Sequence, residues 1–120
     1  MQYTVIPHAL SHAIIRKDAM AVFACERAHV VQAKGDYDLR LTIQVEAEDE
    51  HDACGKAWTV YQNIDDDRMT PDGGRSLMRG DMLLVIDEDE VASWWIACSV
   101  GWTETEAPGE IRKEFRREKT

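Results

Sequence analysis

Three short pairs have the residue types and spacing of zinc ligands: His8-x3-His12, Cys25-x3-His29 and His51-x2-Cys54. A structural zinc needs four such donors converging at about 2.0–2.3 Å. Cys54, however, falls on the apolar side of a helical pattern, beside Ala53, Ala57 and Trp58. Cys25, Cys54 and Cys98 are an odd, widely spaced set that reads as reduced, buried small hydrophobes and not as a disulfide framework. The sequence calls for no metal and no cofactor.

Two acid runs, Asp65-Asp66-Asp67 and Asp87-Glu88-Asp89-Glu90, are the other candidates for cation chemistry. Neither has the glycine and closing glutamate of a calcium loop, and both fall where turns are expected, so solvated turn residues are the simpler reading. Nucleophilic catalysis has little support. There is no Gly-x-Ser-x-Gly elbow, and Gly73-Gly74-Arg75-Ser76 lacks the lysine and spacing of a phosphate cradle. A ligand site near Trp58, Tyr61, Arg75 and Asp81 is the enzyme-like alternative.

The aromatic residues are more informative. Trp94 and Trp95 are consecutive, so a strand points them to opposite faces of a sheet, one to the core and the other under a helix or into a contact surface. A homodimer through Trp94 or Trp95 is one such contact.

The elements that must position these residues follow from periodicity. From Tyr37 to Glu48, Leu39, Leu41, Ile43, Val45 and Ala47 alternate with polar residues, which predicts a single half-buried strand. Gly35-Asp36 offers a turn by which His29–Ala33 pairs back on it, and Tyr3–Ile6 reads as a first strand. Ala53, Cys54, Ala57, Trp58 and Tyr61 recur at helical spacing behind a capping Asp49, which predicts a helix over 49–63. Met82–Ile86 reads as a buried strand, and Trp94–Trp102 as its hairpin return with Trp94, Ile96, Cys98, Val100 and Trp102 on one face. The segment 18–27 leans towards strand. Pro108 opens a predicted C-terminal helix anchored by Ile111 and Phe115.

Together these give an α+β domain over residues 1–107, a mainly antiparallel sheet with one packed helix, and a helical tail over 108–120. At 120 residues the chain suits one domain, with 44% apolar and 31% charged residues. Twenty-three acids against fourteen Lys and Arg leave a net charge of −9, against direct DNA binding and in favour of a basic partner. The tail Glu110–Lys119 inverts the balance, with five bases against three acids, and is expected to fold back on the acidic body. No apolar run reaches the roughly 18 residues of a membrane span, and no signal-peptide pattern opens the chain.

Residues 57–65 (AWTVYQNID), 74–85 (GRSLMRGDMLLV) and 99–102 (SVGW) resemble a pattern of small proteins encoded by phages and plasmids. In that pattern a helix ending in QN.D precedes an RS…GD turn, a strand and a return strand ending in GW. Met78-Arg79 departs from the usual small polar residues there. The resemblance covers about residues 50–104 and implies a mobile-element origin and a compact α+β fold, without a catalytic role. Gly80 and Asp81 also have an architectural explanation, a left-handed turn and bonds to nearby amides. The resulting expectation is a non-enzymatic, acidic interaction protein of the bacterial cytoplasm. Asp65–Asp67 and Asp87–Glu90 would meet a basic groove of a host nucleic-acid-handling or defence complex, with Trp94 and Trp95 as contact aromatics.

Overall fold

The first strand organises the sheet, because its alternation leaves Tyr3, Val5 and Ala9 buried on one side and Leu10 on the other. The computed structural model describes residues 1–23, 30–62, 70–99 and 101–114. Strand β1 (Gln2–Leu10) pairs along one side with β3 (Tyr37–Leu39) and β4 (Ile43–Glu46). Along its other side β5 (Met82–Ile86), β6 (Ala92–Cys98) and β7 (Gly101–Thr105) follow in order, completing a six-stranded antiparallel sheet. A small second sheet joins β2 (Val30–Val31) to β8 (Lys113–Glu114).

Helix α2 (Glu50–Val60) covers one face. Asp49 caps it by accepting the Asp52 amide at 2.8 Å, a contact worth about 1 kcal/mol. Ala53, Cys54, Ala57 and the following Tyr61 are buried against Tyr3, Val5, Val45, Leu83 and Val85. The opposite face is covered near the Leu10 end, where Leu10, Tyr37, Met82 and Ile96 pack with Ala21, Val22 and Val31. Those residues come from the segment after β1, which includes α1 (His12–Lys17), capped by Ser11, and a 3-10 turn at Ala19–Phe23.

Five expectations need correction. The alternating segment 37–48 is not one strand. His8 pairs with Leu39 but Val5 with Ile43, so one extra residue is inserted around Arg40. A one-residue insertion flips every following side chain to the other face. Tyr37 therefore packs with the Leu10 cluster and Val45 with α2, while Leu39 and Leu41 are exposed. Secondly, Val30–Val31 pairs with the tail and not with β3.

Thirdly, the return strand ends at Cys98 and the chain turns back into β7 at Gly101, whose φ of 125° is open to glycine. Trp102 thereby joins the α2 face with Trp95, not the Trp94 face. Fourthly, 108–114 is not helical: the chain bends at Glu110 and Ile111, and Lys113–Glu114 is a strand in place of the start of a helix. The described part of the tail contacts the body: Lys34 bonds Gly109 through the backbone at 2.7 Å and pairs with Glu110, and Arg112 lies 3.8 Å from Asp18. Of the segment 18–27, Ala19–Phe23 is a 3-10 turn and not a strand, and 24–29 lie outside the described residues.

Candidate functional site

Antiparallel order decides which side chains meet at each end of the sheet. Gln2 pairs with Glu46, Thr4 with Ile86, Ile86 with Ala92, and Trp94 with Thr105. One end of the sheet is therefore formed by the start of β1, the end of β4, the start of α2, the β5–β6 turn and the end of β7. Glu46, Glu48, Asp49, Glu50 and Asp52 come to this end from one side, and Asp87, Glu88, Asp89 and Glu90 from the other.

The clustering is electrostatically visible at Tyr3. Its phenol is pushed above the ordinary tyrosine value first by burial and then by Glu50, Asp49, Asp87 and Glu88. The N-terminal amine is raised chiefly by its 2.8 Å bond to Glu46. Lys56 reaches the same region, 3.8 Å from Asp52 and bonded to the Glu46 carbonyl. The basic residues Arg16, Lys17, Lys34, Arg79 and Arg112 belong to elements around the opposite end.

Within the predicted acidic turn the four residues divide. Asp87 accepts the amides of Asp89 and Val91, both at 2.9 Å, and Glu88 accepts the Gln2 amide at 2.7 Å. These two build the turn and fasten it to β1. Asp89 and Glu90 are exposed, Glu90 with a φ of 63°. The other predicted run, Asp65–Asp67, lies outside the described residues. Sequence reasoning missed Glu46–Asp52 as part of the site, although five acids in seven residues (EAEDEHD) were the available signal.

Trp94 and Trp95 do point to opposite faces. Trp95 packs on the α2 side, edge-to-face with His51 at 5.8 Å, and its indole N–H donates to Ser93. Trp94 meets His8 at 4.8 Å on the other face. Burial holds His8 below the ordinary histidine value. Both tryptophans are half-buried.

The residues of the alternative ligand site are engaged with protein groups. Arg75 forms a bidentate pair with Asp81, both contacts at 2.8 Å, and donates to the carbonyls of Leu10 and Ser76. The fully buried Asp81 also accepts the amides of Leu10 and Met78 at 2.8 Å. Tyr61 donates to the Leu41 carbonyl, and Trp58 faces Trp102 at 5.9 Å. This constellation is a structural clamp holding β1 to the entry of β5. Gly80 belongs to it, since its φ of 90° and a Cβ 2.6 Å from Leu10 would exclude a side chain.

A second clamp was not foreseen. Arg40, carried inward by the inserted residue, makes a bidentate pair with Asp72 at 2.7 Å and lies over the Tyr61 ring. The Arg40 bond, above all, holds the Asp72 carboxyl well below the usual carboxylate range. A depressed folded-state value contributes stability above the unfolded value of about 3.9, lost as pH falls through the folded one. Melting temperature is therefore expected to drop below pH ~4, and Asp72→Asn to flatten that drop while melting lower than wild type at pH 7. A variant with an unchanged acid profile would show that Arg40–Asp72 contributes nothing.

Of the paired zinc candidates, Cys54 is buried in the core whereas His51 is exposed beside Trp95, and Cys25 and His29 lie outside the described residues. Among the described residues no three His, Cys, Asp or Glu side chains converge as a metal would need. The reduced-thiol reading fails at Cys98, which is disulfide-bonded, while Cys54 is free. Among the described residues no helix is long and apolar enough to cross a membrane. No family model matches the chain, and neither a curated protein nor a solved structure does.

Proposed function

We propose that this chain is a non-enzymatic interaction protein whose acidic end occupies a basic groove on a protein that normally holds nucleic acid. The observation behind this reading is the gathering of Glu46–Asp52 and Asp87–Glu90 at one end of the sheet, whereas acids around the other end are partly paired with bases, Glu110 with Lys34 and Asp18 with Arg112. A charge of −9 arranged in this way orients the molecule as it approaches a basic surface, and so speeds association. The finer identification, an inhibitor of a host defence complex encoded by a phage or plasmid and acting in the bacterial cytoplasm, combines the clustered acidity with the mobile-element origin that the pattern of residues 50–104 implies.

The test uses the purified protein as bait in a bacterial lysate, washed at low and high salt. The expected result is capture of a nucleic-acid-binding complex that is released by salt and displaced by added DNA. Glu48→Lys combined with Asp89→Lys is expected to reduce capture about tenfold or more. Asp38→Lys, a charge change on β3 near the other end, is expected to leave it intact. Equal loss in both variants would reduce the effect to net charge and overturn the site. A captured partner indifferent to DNA and salt would overturn the reading itself.

A further inference from the structure

Residues on α2 and β7 that the acidic end does not use form a groove along the sheet edge. His51, Gly55 and Trp58 make one stripe of the helix, at spacings of four and three residues. Facing them are Trp95, Trp102 and Glu104 on the same side of the sheet, with Glu104 directly across the ladder from Trp95. Aromatic contacts close the groove at both ends, His51 on Trp95 at 5.8 Å and Trp58 on Trp102 at 5.9 Å.

Its middle is open. Gly55 is exposed within the helix, and among the described residues nothing lies within 4 Å of where its Cβ would be. Glycine disfavours a helix, and no packing contact requires it here. Beside it Trp58, Ser99, Gly101 and Trp102 line a cleft of about 280 Å³. That is below the ~300 Å³ at which small-molecule sites begin, and suits a single side chain.

β7 is also a terminal strand among the described residues, pairing with β6 alone. In an antiparallel ladder alternate residues bond inward, so the remaining amides and carbonyls of β7 face away from β6. Its five residues contain no proline, and Glu104 is its one charge. Such an edge is a template for an added strand.

We propose that this groove takes an extended, basic segment of the partner protein, added as a strand beside β7. An arginine or lysine of the segment lies against the Trp95 face and Glu104, combining cation–π and ionic attraction. A small apolar side chain two residues along enters the Trp58–Trp102 cleft past Gly55. Charge selects this occupant over a second copy of the chain, which would bring another −9 and set Glu104 near its own equivalent. The basic character of the segment rests on the function proposed above; the edge and the cleft do not.

The probe is an acetylated, amidated peptide that carries arginine and valine two residues apart on one face, as in Arg-Thr-Val-Thr-Arg-Thr-Val, with glutamate in place of arginine as reference. Saturable quenching of tryptophan fluorescence and slowed amide exchange in β7 are expected with the first peptide only. Gly55→Leu fills the gap without disturbing the helix, so it is expected to melt at or above the wild-type temperature yet bind about tenfold more weakly. Glu104→Lys is expected to weaken binding to a similar extent. Unchanged β7 exchange at saturation, or full affinity in Gly55→Leu, would overturn the groove. Binding lost only in the Glu48→Lys, Asp89→Lys variant would overturn it too, while leaving the acidic-end reading in place. A dimer in light scattering that Glu104→Lys strengthens would make a second copy the occupant and defeat the proposal.

Discussion

Asp81→Ala is expected to destabilise the fold by about 3–5 kcal/mol, the range for removing one partner of a buried ion pair. Asp81 is fully buried and accepts from the Arg75 guanidinium twice, from the Leu10 amide and from the Met78 amide, all at 2.8 Å. Alanine leaves a cavity, and the buried end of β1 loses the acceptor of its Leu10 amide, which costs on the order of 1–3 kcal/mol by itself. In a domain of this size the melting temperature should fall by ~10–20 °C. Arg75→Ala should cost a comparable amount, because it leaves the fully buried Asp81 carboxylate with its two backbone donors but without its countercharge. The double variant should be little worse than Asp81→Ala, since both substitutions break one network. Urea denaturation measures all three. A loss below about 1 kcal/mol for Asp81→Ala would mean that the clamp is not a main determinant of stability.

Much of this clamp was legible before any fold was known. Gly80-Asp81 at the entry to an apolar run implied a left-handed turn and a carboxylate bonding nearby amides, and both are present. The α2 helix was legible for the same reason, because its cap, its acidic first turn and its buried stripe agree. Two failures share one cause: period-2 patterning records alternation but not interruption. The residue inserted near Arg40 leaves the alternation of 37–48 unbroken on paper while exchanging the faces. The alternation through Trp94–Trp102 likewise continues across the turn at Ser99, so one long strand was read where two exist.

The tail failed differently. Ile111 and Phe115 have helical spacing, but Ile111 is 77% exposed, and Lys113–Glu114 is held by pairing with Val30–Val31. Tertiary pairing outweighs such weak local preference. The acidic end was half visible. The EAEDEHD run could be seen as a helix start, but only the strand order brings it to the Asp87–Glu90 turn.

Reduction of the Cys98 disulfide is expected to lower stability by about 2–4 kcal/mol, because it frees the unfolded chain from a cross-link. Cys98 ends β6, packs beside the Leu10, Met82 and Ile96 cluster, and lines the Trp58–Trp102 cleft. The other cysteine in the described residues behaves oppositely. Cys54 is fully buried beneath α2, and burial pushes its thiol far above the ordinary value, so native protein should react slowly with alkylating reagents.

Unfolded without reductant, the protein should be alkylated at Cys54 and not at Cys98; after reduction it should yield three alkylated thiols, matching the cysteines of the sequence. Cys98→Ala should melt like the reduced wild type, and reductant should not lower it further. Three thiols in unreduced, unfolded protein would show that the bond does not form in solution. An unalkylated Cys98 there, with a reductant-sensitive melt, would make the stability of this fold depend on the redox poise around it, since a reducing cytoplasm opens bonds that an oxidising compartment keeps.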